Sequence, residues 1–202
     1  MENVKNFKIE GWRLGVGAVA LAGGFWLLST FPWAWWALFI GGLIAWAVVF
    51  QGHAREAFSM PKKLWVIPIG IVVYLLFGLV VGNLAVKFGL NWSANPAAGH
   101  LGLLIFKIPF MLMGEELLGI GILEAARNKG ASLTTSTLLS ALIFGLMHVF
   151  VYWDGSWFST LLHVLLLQGV ARLIFNYVYL LMGKSIWGSW LTHVGVDLLA
   201  LL

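Results

Sequence analysis

Long apolar runs broken only by short polar turns constrain this chain more than anything else. Of its 202 residues, 61% are hydrophobic and only 10% charged, including 8 Asp and Glu, where a soluble domain carries about 25% charged residues. Runs of this length satisfy their backbone groups inside hydrocarbon only as helices, since no period-two alternation suggests a barrel. The spans read as Trp12–Thr30, Trp33–Phe50, Leu64 to about Val86, about His100–Ala126, Ser132–Tyr152, about Ser156–Met182 and Ile186–Leu202. The expected fold is therefore an all-α integral membrane bundle of about seven transmembrane helices.

The turns agree. Phe31-Pro32-Trp33 and Asp154-Gly155 are tight, Gln51–Lys63 is a polar connection, and Asn83–Gly99 reads as a loop containing Asn91, Asn95 and Pro96. Arg127-Asn128-Lys129-Gly130 supplies the basic residues and glycine that close a helix. Gly78 and Gly82 stand at GxxxG spacing, a plausible close-packing face for the third span. Twelve Trp suit interfacial anchoring. No cleavage site follows the first apolar run, and with no Cys there is no disulfide and no thiolate site. The net charge of +4 is scattered through short loops, so nucleic acid is not a partner.

Polar groups inside the spans carry the functional information, because each ionisable one costs about 2.5–3.5 kcal/mol at a helix centre on insertion scales. The fourth span holds adjacent Glu115 and Glu116, and the fifth holds His148. The sixth holds His163 and a stripe at four-residue steps, Gln168, Arg172 and Asn176. The last holds His193 and Asp197, one turn apart on one face. These groups must turn inward and meet one another, so a polar site is expected between helices four to seven. At 1.5 Å per residue, Glu115 lies about 12 Å from Lys107, which puts the site near mid-membrane or in the outer half.

Hydrolysis of an acyl bond suits such a set. A buried carboxylate takes a proton from water, and histidines hold the water, protonate the leaving amine or stabilise an oxyanion. Glu115, His148 and His193 are equally a ligand set for a divalent metal such as zinc, so a metal-free and a metal-dependent mechanism both stand. Metal-free chemistry is favoured, since neighbouring acids share a proton and keep one carboxyl ionised. The zinc-protease helix pattern His-Glu-x-x-His is absent.

Three motifs in order complete the picture: Glu115-Glu116, then Phe144-Gly145-Leu146-Met147-His148, then His193-Val194-Gly195-Val196-Asp197. With these motifs, and the lead-in Gly183-Lys184-Ser185-Ile186-Trp187, the chain resembles the CPBP family of intramembrane proteases, a group of CAAX prenyl endopeptidases and bacteriocin-processing or self-immunity proteins. The resemblance covers about residues 101–202. It divides a single polytopic domain into an N-terminal three-helix part (1–99) and a catalytic core (100–202). It implies an intramembrane endopeptidase with Glu115 as general base on water, His148 cooperating, His193 and Asp197 binding the oxyanion or orienting the site, and Glu116 as a hydrogen-bonding partner. Phe144 belongs to the second motif. The substrate would be a membrane-embedded or lipid-adjacent peptide, lipidated ones included.

Two departures from the family matter: the last motif ends in Asp197, an allowed variant of the commoner Asn, and the first motif lacks its Arg. Where its first motif ends in Phe-Arg, this chain has Gly119-Ile120. Two roles suit Arg172: supplying the missing cation from another helix, or pairing structurally with Asp197. The missing Arg keeps two other function classes open. One is an acyltransferase or sortase-like ligase with an amine in place of water; the other is a non-catalytic scaffold or immunity protein binding a membrane partner.

Loop charge orients the chain. With the N-terminus inside, the inner segments hold Lys5, Lys8, Arg13, Arg55, Lys62, Lys63, Arg127, Lys129 and Lys184, and the outer ones only Lys87, with Lys107 inside the fourth helix. The positive-inside rule then places the protein in the cell membrane with a cytoplasmic N-terminus and an external C-terminus. Reporter fusions after Lys63, Lys129 and Lys184 should read cytoplasmic, and fusions near Asn95 and Asp154 external. An external reading at Lys129 would reverse the assignment.

Overall fold

Helix α1 (Gly11–Thr30) turns through a short 3-10 segment at Pro32–Ala34 into α2 (Ala37–Phe50). The computed structural model describes residues 7–90, 92–95 and 101–200; the expectations placed on Lys5, Asn91, Pro96, His100 and the last two residues fall outside them. The remaining helices are α3 (Val66–Lys87), a single turn α4 (Leu101–Leu104), α5 (Ile108–Asn128), α6 (Leu133–Met147), α7 (Trp157–Val164), α8 (Val170–Leu181) and α9 (Ile186–Ala200). A π-helical turn at Leu165–Gly169 joins α7 to α8 in one continuous rod. Seven helical rods result, and among the described residues there is no strand. Four helices are long and apolar enough to cross a membrane: Gly11–Thr30, Ala37–Phe58, Val66–Lys87 and Trp157–Leu181.

Several boundaries move from where the sequence puts them. The fourth span is interrupted: the chain turns after α4, and Lys107 caps α5 from outside instead of lying within the helix. Pro109 explains the restart, since in the first turn its missing N–H has no helical acceptor to lose. Asn83 stays inside α3, its amide donating to the Leu79 carbonyl at 2.7 Å, so the loop begins after Lys87. The polar connection opens with a 3-10 helix, Gln51–Phe58, that continues the rod of α2. Serine caps start α6 and α7, with Ser132 accepting from the Thr135 N–H at 3.0 Å and Ser156 from the Ser159 N–H at 3.3 Å. In the turn before α7, the hydroxyls of Ser159 and Thr160 and the Ser156 N–H hold the Asp154 carboxyl below its usual range.

Helix α5 is the hub, packing against α2, α6, α8 and α9, while α3 leans on α8 and α9 and α1 reaches the bundle through α2. Its apolar side builds the main core, in which Leu117, Ile120 and Leu123 meet Trp46 and Phe50 of α2 and Tyr179 of α8. The Trp46 indole donates to the Leu117 carbonyl at 2.7 Å, so even the largest core side chain leaves no buried N–H unpaired.

Close packing falls on other glycines than those at GxxxG spacing. A Cβ at Gly78 or Gly82 would meet nothing within 4 Å. At the α1–α2 crossing, a Cβ at Gly24 would stand 2.7 Å from the Ala37 carbonyl oxygen and 3.1 Å from the Leu38 Cα, so the backbones pack in direct contact there. Gly24→Leu should lower stability by about 1–3 kcal/mol, the usual cost of overpacking. Gly78→Ala and Gly82→Ala should hold or raise it by up to about 1 kcal/mol through helix propensity. Thermal unfolding in detergent measures both.

Candidate active site

Adjacent residues on a helix point about 100° apart, and α5 gives its two glutamates different surroundings. Glu116 is fully buried, whereas 17% of the Glu115 side chain remains exposed. Every acceptor position of Glu116 is filled. Its Oε1 accepts from Arg172 Nη1 at 2.7 Å and from His193 Nδ1 at 2.9 Å; its Oε2 accepts from Arg172 Nη2 at 2.9 Å and from the Ser189 hydroxyl. Four donors saturate the roughly four lone-pair sites of a carboxylate. Glu115, by contrast, makes no hydrogen bond among the described residues and meets His193 Nε2 at 3.8 Å.

Arg172 is held as firmly as the acid it serves. Its Nε donates to Asn176 Oδ1 at 3.0 Å and its Nη2 also reaches the Ser189 hydroxyl at 3.1 Å. The guanidinium carbon lies 5.6 Å and 5.4 Å from the ring centres of Phe144 and Phe175. Asn176 donates to Ser140 at 3.1 Å, and Ser140 donates to the Gly119 carbonyl at 2.8 Å, which returns the network to α5. Gly119 is the residue that admits the arginine: a Cβ there would sit 2.7 Å from Arg172 Cδ and 2.8 Å from Nη1. The replacements at Gly119 and Ile120 in the first motif are thus one change. With no side chain at 119, a cation from α8 occupies that space, and Ile120 joins the apolar core. Of the two roles open to Arg172, pairing with Asp197 is not observed.

Hydrogen bonds set the histidine tautomers. The carboxylate of Glu116 only accepts, so His193 carries its proton on Nδ1 and turns Nε2 toward Glu115 at 3.8 Å and Asp197 Oδ1 at 3.9 Å. The same reasoning applies to His148, whose Nδ1 donates to the Phe144 carbonyl at 2.8 Å, leaving Nε2 without a hydrogen bond among the described residues. His148 lies within electrostatic reach of His193 and Asp197. Phe144 fixes both imidazoles, with ring centres 4.9 Å from His148 and 6.2 Å from His193.

The structure therefore gathers Glu115, Glu116, His148, His193, Asp197, Phe144, Arg172 and Asn176 in one place. The π turn at Leu165–Gly169 interrupts the four-residue register between Gln168 and Arg172, and Gln168 stands beside Tyr152. Among the described residues no three His, Asp or Glu side chains converge as a metal-binding group, and the Nδ1 of His193 is already engaged by Glu116. Sequence reading missed Ser189, Ser140 and Tyr152, although each lies four residues from a motif member (His193, Phe144 and His148). It also missed Tyr74 of α3, within electrostatic reach of Asp197, and the third acid of α5, Glu124. Glu124 is buried and accepts from the Tyr179 hydroxyl at 3.0 Å and from Lys184 at 3.1 Å, which ties α5 to the α8–α9 turn.

A family model described as type II CAAX prenyl endopeptidase, Rce1-like, matches residues 97–199, a stretch that contains every acid and histidine of this site. The chain belongs to that family. It is accordingly a membrane protein of a membrane endopeptidase family. No curated protein and no solved structure matches the chain.

Removing one partner of a buried ion pair typically costs about 3–5 kcal/mol. Arg172→Leu should therefore lower stability by an amount of that order, and adding Glu116→Gln should recover part of it. Arg172→Lys should rescue poorly, since an ammonium cannot make the two-pronged contact. Chemical denaturation in detergent tests all three; a double variant no more stable than Arg172→Leu alone would show that the charge pair is not what holds these helices.

Proposed function

We propose that this protein hydrolyses a peptide bond in a membrane-embedded or lipid-adjacent peptide, with Glu115 as the general base. The observation that carries the reading is the contrast between neighbours. Glu116 has no lone pair left to offer, while Glu115 is partly exposed, makes no hydrogen bond among the described residues and lies 3.8 Å from an imidazole nitrogen. A water oxygen bridging Glu115 Oε2 and His193 Nε2 would be within reach of both.

In the reaction, Glu115 takes one proton of that water as its oxygen bonds to the scissile carbonyl carbon. The carbonyl π electrons move to oxygen, and the charged form of His193, its charge balanced by Glu116 and Asp197, offers Nε2–H to that oxyanion. Collapse of the tetrahedral intermediate breaks the C–N bond, and Glu115 delivers its proton to the leaving amine. His148, locked by Phe144, orients the water through Nε2. Arg172 and Asn176 touch no reacting atom; they hold Glu116, which fixes the His193 ring through its Nδ1–H. Support for this reading comes from family membership and from that hydrogen bond, which aims Nε2 at Glu115. A divalent metal on Glu115, His148 and His193 would activate the same water, and the chelation arm below separates the two mechanisms.

Cleavage of membrane-inserted candidate peptides, read by mass spectrometry, tests the proposal. Glu115→Gln should lower the rate by about 10²–10⁴-fold, the usual contribution of a positioned base, with thermal stability unchanged. Glu116→Gln should lose activity and stability together. Wild-type activity should survive strong chelation. Loss on chelation with recovery on zinc would overturn the metal-free mechanism. Undiminished cleavage by Glu115→Gln would overturn its role, and products joined to an added amine would identify a ligase.

A further inference from the structure

A cavity of about 420 Å³ lies between the later turns of α3, the segment 92–95 and α7, and none of the residues assigned to the reaction lines it. Its volume falls in the range of roughly 300–1,000 Å³ common to small-molecule sites. Gly78 and Gly82 form one wall, where their missing side chains leave open space. Leu79 and Leu167 add apolar surface. Opposite stand two rings stacked face to face, Trp92 and His163, with centres 4.7 Å apart and planes 2° from parallel.

These rings carry an unmet demand. His163 is 97% buried and, among the described residues, its Nδ1 has no hydrogen-bond partner; nor has the buried indole Nε1 of Trp92. Buried polar groups are paired in all but a few cases, because leaving one unpaired costs its full desolvation. An indole N–H only donates, so the group that would satisfy it is an acceptor. Among the described residues no lysine or arginine lines the cavity, which disfavours a phosphate and suits a carbonyl or carboxyl oxygen. The opening settles the rest of the ligand. Leu79 and Val86 at the rim are 64% and 74% exposed on a helix apolar enough to span the membrane, so the cavity opens sideways into hydrocarbon.

We propose that this cavity is a second binding site, for an acyl-chain amphiphile whose ester or carboxyl oxygen is held by Trp92 and His163 while its chain lies along Gly78 and Gly82. Two sources supply that chemistry, a free fatty acid and the ester of a glycerolipid. The site neighbours the reaction centre: the Tyr152 ring meets His163 edge-on at 4.7 Å and His148 at 6.2 Å.

The test is photolabelling of the full-length protein in detergent with two probes, a diazirine-bearing palmitic acid and a phosphatidylcholine carrying the same chain, followed by peptide mapping. One or both probes should label residues 78–93 and 157–168 saturably, and an excess of unlabelled oleate or phosphatidylcholine should displace the matching probe. Whichever probe saturates identifies the source. His163→Phe keeps the ring stack and deletes the nitrogen, so it should weaken labelling about fivefold, the effect of one hydrogen bond. Gly82→Leu should abolish labelling by filling the cavity. Non-saturable adducts spread along the outer faces of α1 and α3 in the wild type would overturn the proposal without reference to any variant. So would saturable labelling that both variants leave unchanged, provided each melts at the wild-type temperature.

Discussion

The polar cluster at the centre of this molecule leans on one buried ion pair. Glu116 and Arg172 are both fully excluded from solvent, and they meet through two parallel hydrogen bonds across the α5–α8 contact. Taking two charges out of water costs several kcal/mol per ion, and attraction alone offsets this only when the remaining donors and acceptors are also satisfied. Here they are. Ser189 and His193 complete the acid, Asn176 completes the base, and Ser140 passes the chain of bonds back to the α5 backbone. Four helices are thereby fixed in rotation about their own axes, which apolar packing among similar aliphatic side chains does only loosely.

That rigidity divides labour between two chemically identical neighbours. Saturation of Glu116 leaves Glu115 as the carboxylate with spare valence, and it orients His193 so that its second nitrogen faces Glu115 and Asp197. A single local rule, that a carboxylate accepts and does not donate, propagates from the core to the tautomer of the imidazole. The side chains proposed to meet a substrate are thus positioned by others that line up behind them.

Much of this was legible from residue spacing. Four-residue intervals identified His148 with Phe144 and His193 with Asp197, and the energetic improbability of acids in hydrocarbon marked Glu115 and Glu116. Three things were hidden. The register of α7 and α8 depends on a π turn that no residue in Leu165–Gly169 announces, so four-residue steps alone do not say where Gln168 stands relative to Arg172 and Asn176. Gly78 and Gly82 have the spacing of a packing motif, but a motif becomes a contact only when a partner helix arrives, and at those positions none does. Gly119 read as a defect in the first motif, because spacing shows which side chain is missing and not which distant one fills the gap.

The π turn has a reach beyond the residue it displaces. One extra amino acid in a helical rod acts as an angular offset of about 100° between the parts on either side. The half that carries Arg172 and Asn176 can thus face the carboxylates while the half that carries His163 faces Trp92. Chain length between these two groups is therefore a dial: one residue fewer between Leu165 and Gly169 would leave every side chain present and every hydrophobic run intact, yet aim one half of the rod away from its partners. In such a protein an insertion or deletion inside a span is a rotation, and alignments that treat it as a gap will misassign which polar residues share a face.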